Sequence, residues 1–422
     1  MLEVNTYNFD YNSNNEIQLV KQFKSFQRQY LVVYLTVMGS DWLQGPYLYK
    51  LYDSYGLKLT QIAMLFLTGF ISSAFAGTVV GGLADTWGRK RVCLVFCWTM
   101  LVSLTIRLIN IYPILCISHA LSGLSTALLY SVFESWYVSE HTSRGFPADW
   151  RARTFGLGTL LNSIVAILAG ITANVLVELW GFRAPYIGSM ILISLVATMV
   201  MTTWTENYGS NQTDIKLVDT LSVGIATLLK NRNIIIIGIA QTLFECAMYI
   251  FVLLYTPALE NAISNTMELS IGVPLGYLFS TMMLAVMAGS LTFQVIEIQA
   301  IRRTRFWLKF NEAKLLSLSL GLAFCSFMLM AYHGNTPVTL LLTAYHIFEF
   351  TTGLYYPSVS SLKANVIPEE TRAAVMALLR IPMNLAVGVL MWHVDDMSSE
   401  MLFSICGVMT CVGCLLLVTF YR

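Results

Sequence analysis

Charge is scarce in this chain, and that scarcity sets its class. Lys and Arg number 25 and Asp and Glu 24 in 422 residues, so charged residues make up 12% against 56% hydrophobic, with a mean hydropathy of +0.65. An ordinary soluble domain carries about 25% charged residues. So few ionic groups over so long a chain exclude that class and point to a polytopic membrane protein. No Walker loop, zinc-hydrolase motif or nucleophile elbow occurs. ATP-driven transport and hydrolysis therefore have no chemical basis, and neither an enzyme nor a cofactor is expected. Residues 1–27 are polar and rich in Asn and Gln, with no apolar core near Met1; they are expected to form a cytoplasmic tail rather than a signal peptide. All 8 cysteines fall in apolar runs. Cys411 and Cys414 have metal-ligand spacing, but one pair on an apolar helix without a second pair does not make a metal site. Nothing suggests nucleic-acid binding.

What the chain does have is apolar runs of membrane-crossing length, about 20 residues each. Twelve spans run approximately over 29–52, 60–84, 91–111, 113–138, 153–177, 183–204, 233–256, 272–296, 313–332, 337–361, 373–394 and 400–421. The expected fold is an all-α polytopic membrane protein of twelve transmembrane helices in two six-helix pseudo-symmetric halves, 28–204 and 232–422. A cytoplasmic linker, 205–231, joins them. Within it Ile215, Leu217, Val218, Leu221, Ile225, Leu228 and Leu229 recur at helical spacing, which predicts an amphipathic helix lying at the bilayer surface.

Short cytoplasmic loops collect Lys and Arg. With the N-terminus inside, only Lys50, Lys58 and Arg183 fall on the outer side, while the other loop cations, Lys363 among them, fall inside. Both termini are thus expected in the cytoplasm. The one sequon, Asn211-Gln212-Thr213, then lies on the side where it is not glycosylated.

The first span contains Ser40-Asp41-Trp42-Leu43-Gln44-Gly45-Pro46-Tyr47. A carboxylate inside a bilayer costs about 2.5–3.5 kcal/mol on insertion scales, so Asp41 should face a water-filled cavity or a partner. Pro46 removes a backbone donor, which should bend the helix just beyond the charge. Broken helices with polar groups near the midplane are a common transporter device. Asp41, Glu245 and Glu349 fall close to their span centres, Glu134 and Arg380 in the inner third, and Arg107 nearer the outside. Gln241, Glu245 and Tyr249 form an i, i+4 stripe, His346 and Glu349 an i, i+3 pair, and Arg380 with Asn384 a third stripe loosened by Pro382. Gly123, Ala127, Tyr130 and Glu134 mark one face of span four. His346 could relay protons with Glu349 or serve as a structural histidine.

The loop after the second span reads Gly81-Gly82-Leu83-Ala84-Asp85-Thr86-Trp87-Gly88-Arg89-Lys90-Arg91. It resembles the signature loop of the major facilitator superfamily, with Thr86 where a basic residue is usual and His119 where many members carry Arg. Asp41 to Tyr52, Gly123 to Leu129, Phe133-Glu-Ser-Trp-Tyr137, Glu206-Asn-Tyr208 and Val366-Ile-Pro-Glu369 are similar to the molybdate-anion transporter family within that superfamily. The likeness covers nearly the whole chain. It implies uptake of molybdate across the plasma membrane, a cavity lined by spans one, four, seven and ten, and a gate role for Asp85, Gly88, Arg89 and Lys90.

The substrate site is therefore expected at Asp41, Gln44, Tyr130, Glu134, Gln241, Arg380 and Asn384, with proton coupling through Glu245, His346 and Glu349. Four embedded carboxylates face two arginines, a balance that favours a cation. A dianion fits only if a guanidinium, Arg380 or alternatively Arg107, supplies paired donors while neighbouring carboxylates are protonated. The expected partners are molybdate or a similar oxyanion, protons and the lipid bilayer, with a monomer favoured. The alternatives are a carrier of another small organic or cationic solute, and a membrane receptor or scaffold that kept the fold without transport.

Overall fold

Inside a bilayer every backbone polar group must be satisfied within its own segment or a closed barrel, and the apolar runs of this chain all become helices. The computed structural model describes residues 3–209, 217–266, 273–301, 312–332, 338–368 and 371–421. In chain order the helices are α1 (Glu3–Gln44), α2 (Leu48–Ser54), α3 (Leu59–Trp87), α4 (Arg89–Arg107), α5 (Tyr112–Ser143), α6 (Asp149–Trp180), α7 (Ala184–Thr203), α8 (Leu217–Lys230), α9 (Arg232–Thr266), α10 (Leu275–Ile301), α11 (Glu312–Ala331), α12 (Val338–Val366), α13 (Arg372–Trp392) and α14 (Ser399–Phe420). Among the described residues 8 helices are long and apolar enough to cross a membrane. The remaining four long helices, α1, α4, α12 and α13, carry Asp41, Arg107, Glu349 and Arg380 respectively. The sequon, residues 210–216 of the linker and the second-half basic loop from 302 to 305 lie outside the described residues.

The expected bend at Pro46 is a full break. α1 stops at Gln44, Gly45 N–H donates to Trp42 O at 3.3 Å, and α2 restarts at Leu48. The Pro46 carbonyl accepts from Tyr255 Oη of the second half at 3.4 Å. At its other end α1 continues without interruption into the stretch expected as a tail.

The pairing of helices repeats from half to half. In the first, α3 and α4 pack on α5, α4 on α7, and α1 on α6 and α7. In the second, α10 and α11 pack on α12, α11 on α14, and α9 on α13 and α14. Each pair of one half has its counterpart six spans later, the packing signature of a pseudo-twofold axis. The halves meet along α6–α10 and α3–α13, which the same axis exchanges. At the first seam Gly170 and Gly276 let the two backbones touch: a Cβ on Gly170 would lie 2.7 Å from the Gly276 carbonyl oxygen. Away from the seams, Leu157, Leu160, Ile164, Leu168, Ile171, Val175 and Leu179 form an exposed stripe along α6, an apolar face suited to lipid. On α8, Leu228 packs against Ile234, Ile367, Val375 and Leu379 while Ile225 and Leu229 stay exposed.

The helix ends near Arg89, Lys90, Arg144 and Arg151 form a basic face, and Lys50, Lys58 and Arg183 mark the opposite one. Contacts between the halves close that opposite face. Lys50 Nζ pairs with Glu260 at 2.8 Å, Gly276 N–H donates to Tyr47 Oη at 3.3 Å and to Asn174 Oδ1 at 3.2 Å, and Trp42 lies 6.0 Å from Phe279 between ring centroids.

Candidate functional site

The basic face, by contrast, is open. A cavity of about 720 Å³ runs along α5 from Tyr130 and Glu134 in its middle to Ser139 and Ser143 at its end, with Arg89 and Tyr208 at the mouth. Tyr130, 61% exposed, and Glu134 turn into this space. The face of span four marked by Tyr130 and Glu134 is thus a cavity wall. Tyr356 of α12 and Asp41 of α1 lie near Tyr130. Phe70 of α3 meets Tyr249 of α9 at 4.2 Å between centroids, so the two halves also touch near mid-membrane.

On the second-half side the acidic centre is Glu245. Tyr355 Oη donates to its Oε1 at 3.2 Å, Gln241 stands one turn away on the same helix, and the charges of Lys363 and Arg380 act on it. Gln241 is buried, and its Oε1 has no hydrogen-bond partner among the described residues. Arg380 is exposed, next to Gly77 at the α3–α13 seam, and Asn384 stands half-buried one turn further along α13. Neither Arg380 nor Glu134 forms an ion pair with a described residue.

The sequence had set Lys363 with the cytoplasmic loops. It is instead 6% exposed inside the last turn of α12. Loop counting missed it because a cation one turn from a helix end looks the same in sequence whether it leans outward or inward. Helical side chains lean toward the helix N-terminus, and for α12 that direction is into the bundle.

Glu349 is buried on α12, close enough to Tyr255 and Tyr356 for its charge to act on both. His346 does not pair with it. The ring donates through Nδ1 to Leu342 O at 2.7 Å and meets Thr281 Oγ1 through Nε2 at 2.9 Å, tying α12 to α10. These are the bonds of a helix-packing histidine.

Gln44 and Arg107 are also structural. Arg107, 2% exposed, donates to Gln44 Oε1 at 2.9 Å and to Ser118 Oγ at 3.3 Å, and Gln44 Nε2 donates to Ser40 O at 2.9 Å. Both amide ends of Gln44 are engaged within the first half, and Arg107 is out of reach of the cavity. In this conformation neither side chain reaches the cavity lining. The guanidinium still acts on Asp41 through space. His119 packs beside Phe66, its Nε2 2.6 Å from Tyr52 Oη.

The signature loop turns toward its own half. Asp85 accepts from Arg89 Nη2 at 2.8 Å, and Lys90 Nζ donates to Trp204 O at 2.7 Å and Met201 O at 3.0 Å. Gly88, at φ +101°, makes the corner between α3 and α4. Glu206 fills the space beside it, accepting from the backbone N–H of Lys90 at 2.8 Å and Arg91 at 3.2 Å, while Arg89 N–H donates to Asn207 O at 2.9 Å. The segment after α7 therefore clasps the start of α4, an anion at a helix N-terminus. The sequence offered Glu206-Asn-Tyr208 only as a resemblance; its structural partner was not legible there.

Comparison with known proteins agrees with this architecture. A family profile described as sugar transporters with 12 transmembrane segments matches residues 3–338. A molybdate-anion transporter of Xenopus laevis is 33% identical over 409 residues, 94% of this chain and 86% of that protein. Its counterpart in Danio rerio is 34% identical over 400 residues, 88% and 80% respectively. Among solved structures, the nucleoside transporter NupG superposes with a TM-score of 0.73 at 13% identity, covering 94% of this chain and 99% of that one. The chain belongs to the molybdate-anion transporter family of the major facilitator superfamily.

Proposed function

We propose that the protein carries molybdate into the cell across the plasma membrane by alternating access, coupled to protons, with both termini and the linker in the cytoplasm. The observation that carries this reading is the cavity. It opens at the basic face and is walled by α5 with Arg89 and Tyr208, contacts between the halves close the opposite face, and Arg380, without an ion pair among the described residues, stands at the α3–α13 seam. The positive-inside rule makes the open basic face cytoplasmic, so the conformation is the inward-facing one of a rocking pair.

Arg380 offers a planar fork of N–H donors matched to a tetrahedral oxyanion. A neutral sugar, the substrate class in the family profile's description, has no need of a guanidinium there. The relatives named for molybdate favour the oxyanion. Glu245 and Glu349 are the proton carriers, because a buried carboxylate is tolerated in its neutral form. Tyr130, Gln241 and Asn384 line the path, and Asp41 and Glu134 keep competing anions from settling elsewhere in it. The gate role of Asp85, Gly88, Arg89 and Lys90 belongs to the outward-facing state, in which the signature loop engages the second half.

The test is uptake of labelled molybdate into proteoliposomes. Uptake should rise with an inward proton gradient, and sulfate and tungstate should compete. Uptake indifferent to the gradient removes the coupling, and competition by organic cations instead of oxyanions removes the substrate assignment.

A further inference from the structure

Lys363 is a buried cation that the function above leaves unused. Lysine is almost never buried without a counter-charge, yet at 6% exposure its Nζ makes no hydrogen bond or ion pair with a described residue. Glu245 and Arg380 act on it through space. Arg380 is likewise without an ion pair among the described residues. Geometry brings both cations toward one carboxylate: Tyr355, which donates to Glu245, and Lys363 share α12, and α9, which carries Glu245, packs against both α12 and the Arg380 helix α13; the carboxylate is bonded to neither cation. Its own bond comes from Tyr355, and Gln241 stands one turn away on α9. The other titratable groups around Glu245 are Tyr249 on α9 and Tyr356 on α12. Cys406 of α14 turns to the far side of α9, toward the Ala247 carbonyl.

We propose that Lys363 and Arg380 together hold the oxyanion, and that the oxyanion displaces Glu245 as their counter-charge, so that Glu245 takes up one proton for each dianion bound. The proposal rests on the oxyanion reading above. The charges balance: one carboxylate against two cations leaves one positive charge, a dianion turns this into one negative, and a proton on Glu245 restores neutrality. No covalent bond forms or breaks. The proton comes from solution through the cavity, and the unpartnered Gln241 Oε1 is an acceptor that the protonated carboxyl can use after the amide turns over. Residues on three helices, α9, α12 and α13, are thereby linked to the presence of substrate, and Lys363 becomes a ligand rather than a cytoplasmic loop charge.

The experiment uses full-length protein in detergent, with molybdate as the probe over the pH range in which it stays a dianion. Calorimetry in buffers of different ionisation enthalpy counts the protons taken up on binding. The wild type should take up one proton per molybdate. Lys363→Gln should weaken binding about 10- to 100-fold, the loss of a charge-assisted contact, and Lys363→Arg should restore most of it. Glu245→Gln should bind without taking up a proton. If Lys363→Gln does not fold, the wild type still decides, because bound molybdate should protect Lys363 from an amine-reactive label. Full-affinity binding by folded Lys363→Gln, absence of protection, or a proton still taken up by Glu245→Gln would each overturn the proposal while leaving molybdate transport standing. A wild type that binds no molybdate would remove the transport reading itself.

Discussion

The clasp at the start of α4 makes a stability prediction that can be worked through. Glu206 accepts two backbone N–H bonds there, at 2.8 and 3.2 Å, and lies 3.8 Å from Arg91 Nε. Losing an N-terminal cap costs about 0.5–2 kcal/mol and an anion at a helix N-terminus about 0.3–1 more, so Glu206→Ala should destabilise by about 1–3 kcal/mol. Gly88→Ala acts in two ways. Its φ of +101° strains any residue with a Cβ, at about 1–3 kcal/mol. The new methyl would also lie 2.6 Å from a Glu206 carboxylate oxygen, which drives that side chain off its bonds. Gly88→Ala should therefore cost about 2–6 kcal/mol, its own strain and the whole of Glu206's contribution together. In the double variant Glu206 is already gone, and the cost should be no larger than that of Gly88→Ala alone. Reversible unfolding in mixed micelles, followed by tryptophan fluorescence, measures all three. A coupling of about 1–3 kcal/mol is expected between the sites. Strictly additive costs would refute the account, because they would mean that Glu206 does not occupy the space a Gly88 side chain needs.

Other perturbations separate transport from structure. Arg380→Lys should weaken molybdate binding about tenfold or more, since an ammonium lacks the planar fork; equilibrium binding measures this, and unchanged affinity would remove Arg380 as a ligand. Arg107→Met strands the Gln44 and Ser118 oxygens and should cost about 2–4 kcal/mol in unfolding while leaving the KM for molybdate near wild type. A large KM change would return Arg107 to the substrate set. Tyr52→Phe leaves the buried His119 Nε2 without its bond and should cost about 1–3 kcal/mol, checked by thermal unfolding. Asp85→Asn should bias the carrier toward the inward-facing state, read from cysteine accessibility at Ser139→Cys in the cavity, and unchanged accessibility and turnover would show that this loop has given up its gate.

The fold was legible because a bilayer leaves the chain few options. Each apolar run had to be a helix, and the runs fell into six and six. The pairing of α3 with α5, repeated by α10 with α12, then needed only the pseudo-symmetry that this count suggests. Charges with no excuse in lipid, Glu134, Glu245, Glu349 and Arg380, were singled out by depth alone, and of these Glu134 lies on the cavity wall. The site was not legible where sequence distance hides contact. Gln44 and Arg107 satisfy each other across two helices, which turns two apparent site residues into one packing element. His346 bonds to its own helix and to Thr281, and an i, i+3 pattern cannot reveal that.

Lys363 shows most clearly why depth alone falls short. Counted with the loops, it supported the orientation and was lost to the site, leaving four embedded carboxylates against two arginines and an apparent preference for cations. Placed inside α12, it changes the local balance around Glu245 from neutral to positive, because Arg107 is committed elsewhere and the other three carboxylates lie apart. The whole-chain charge count and the oxyanion reading then no longer conflict, because a substrate meets only the groups within reach of it. In low dielectric, nearby charges dominate and distant ones are screened by the water of the open cavity. On the proposed site, the sign of charge around Glu245, rather than the sum over the membrane, selects what the carrier holds.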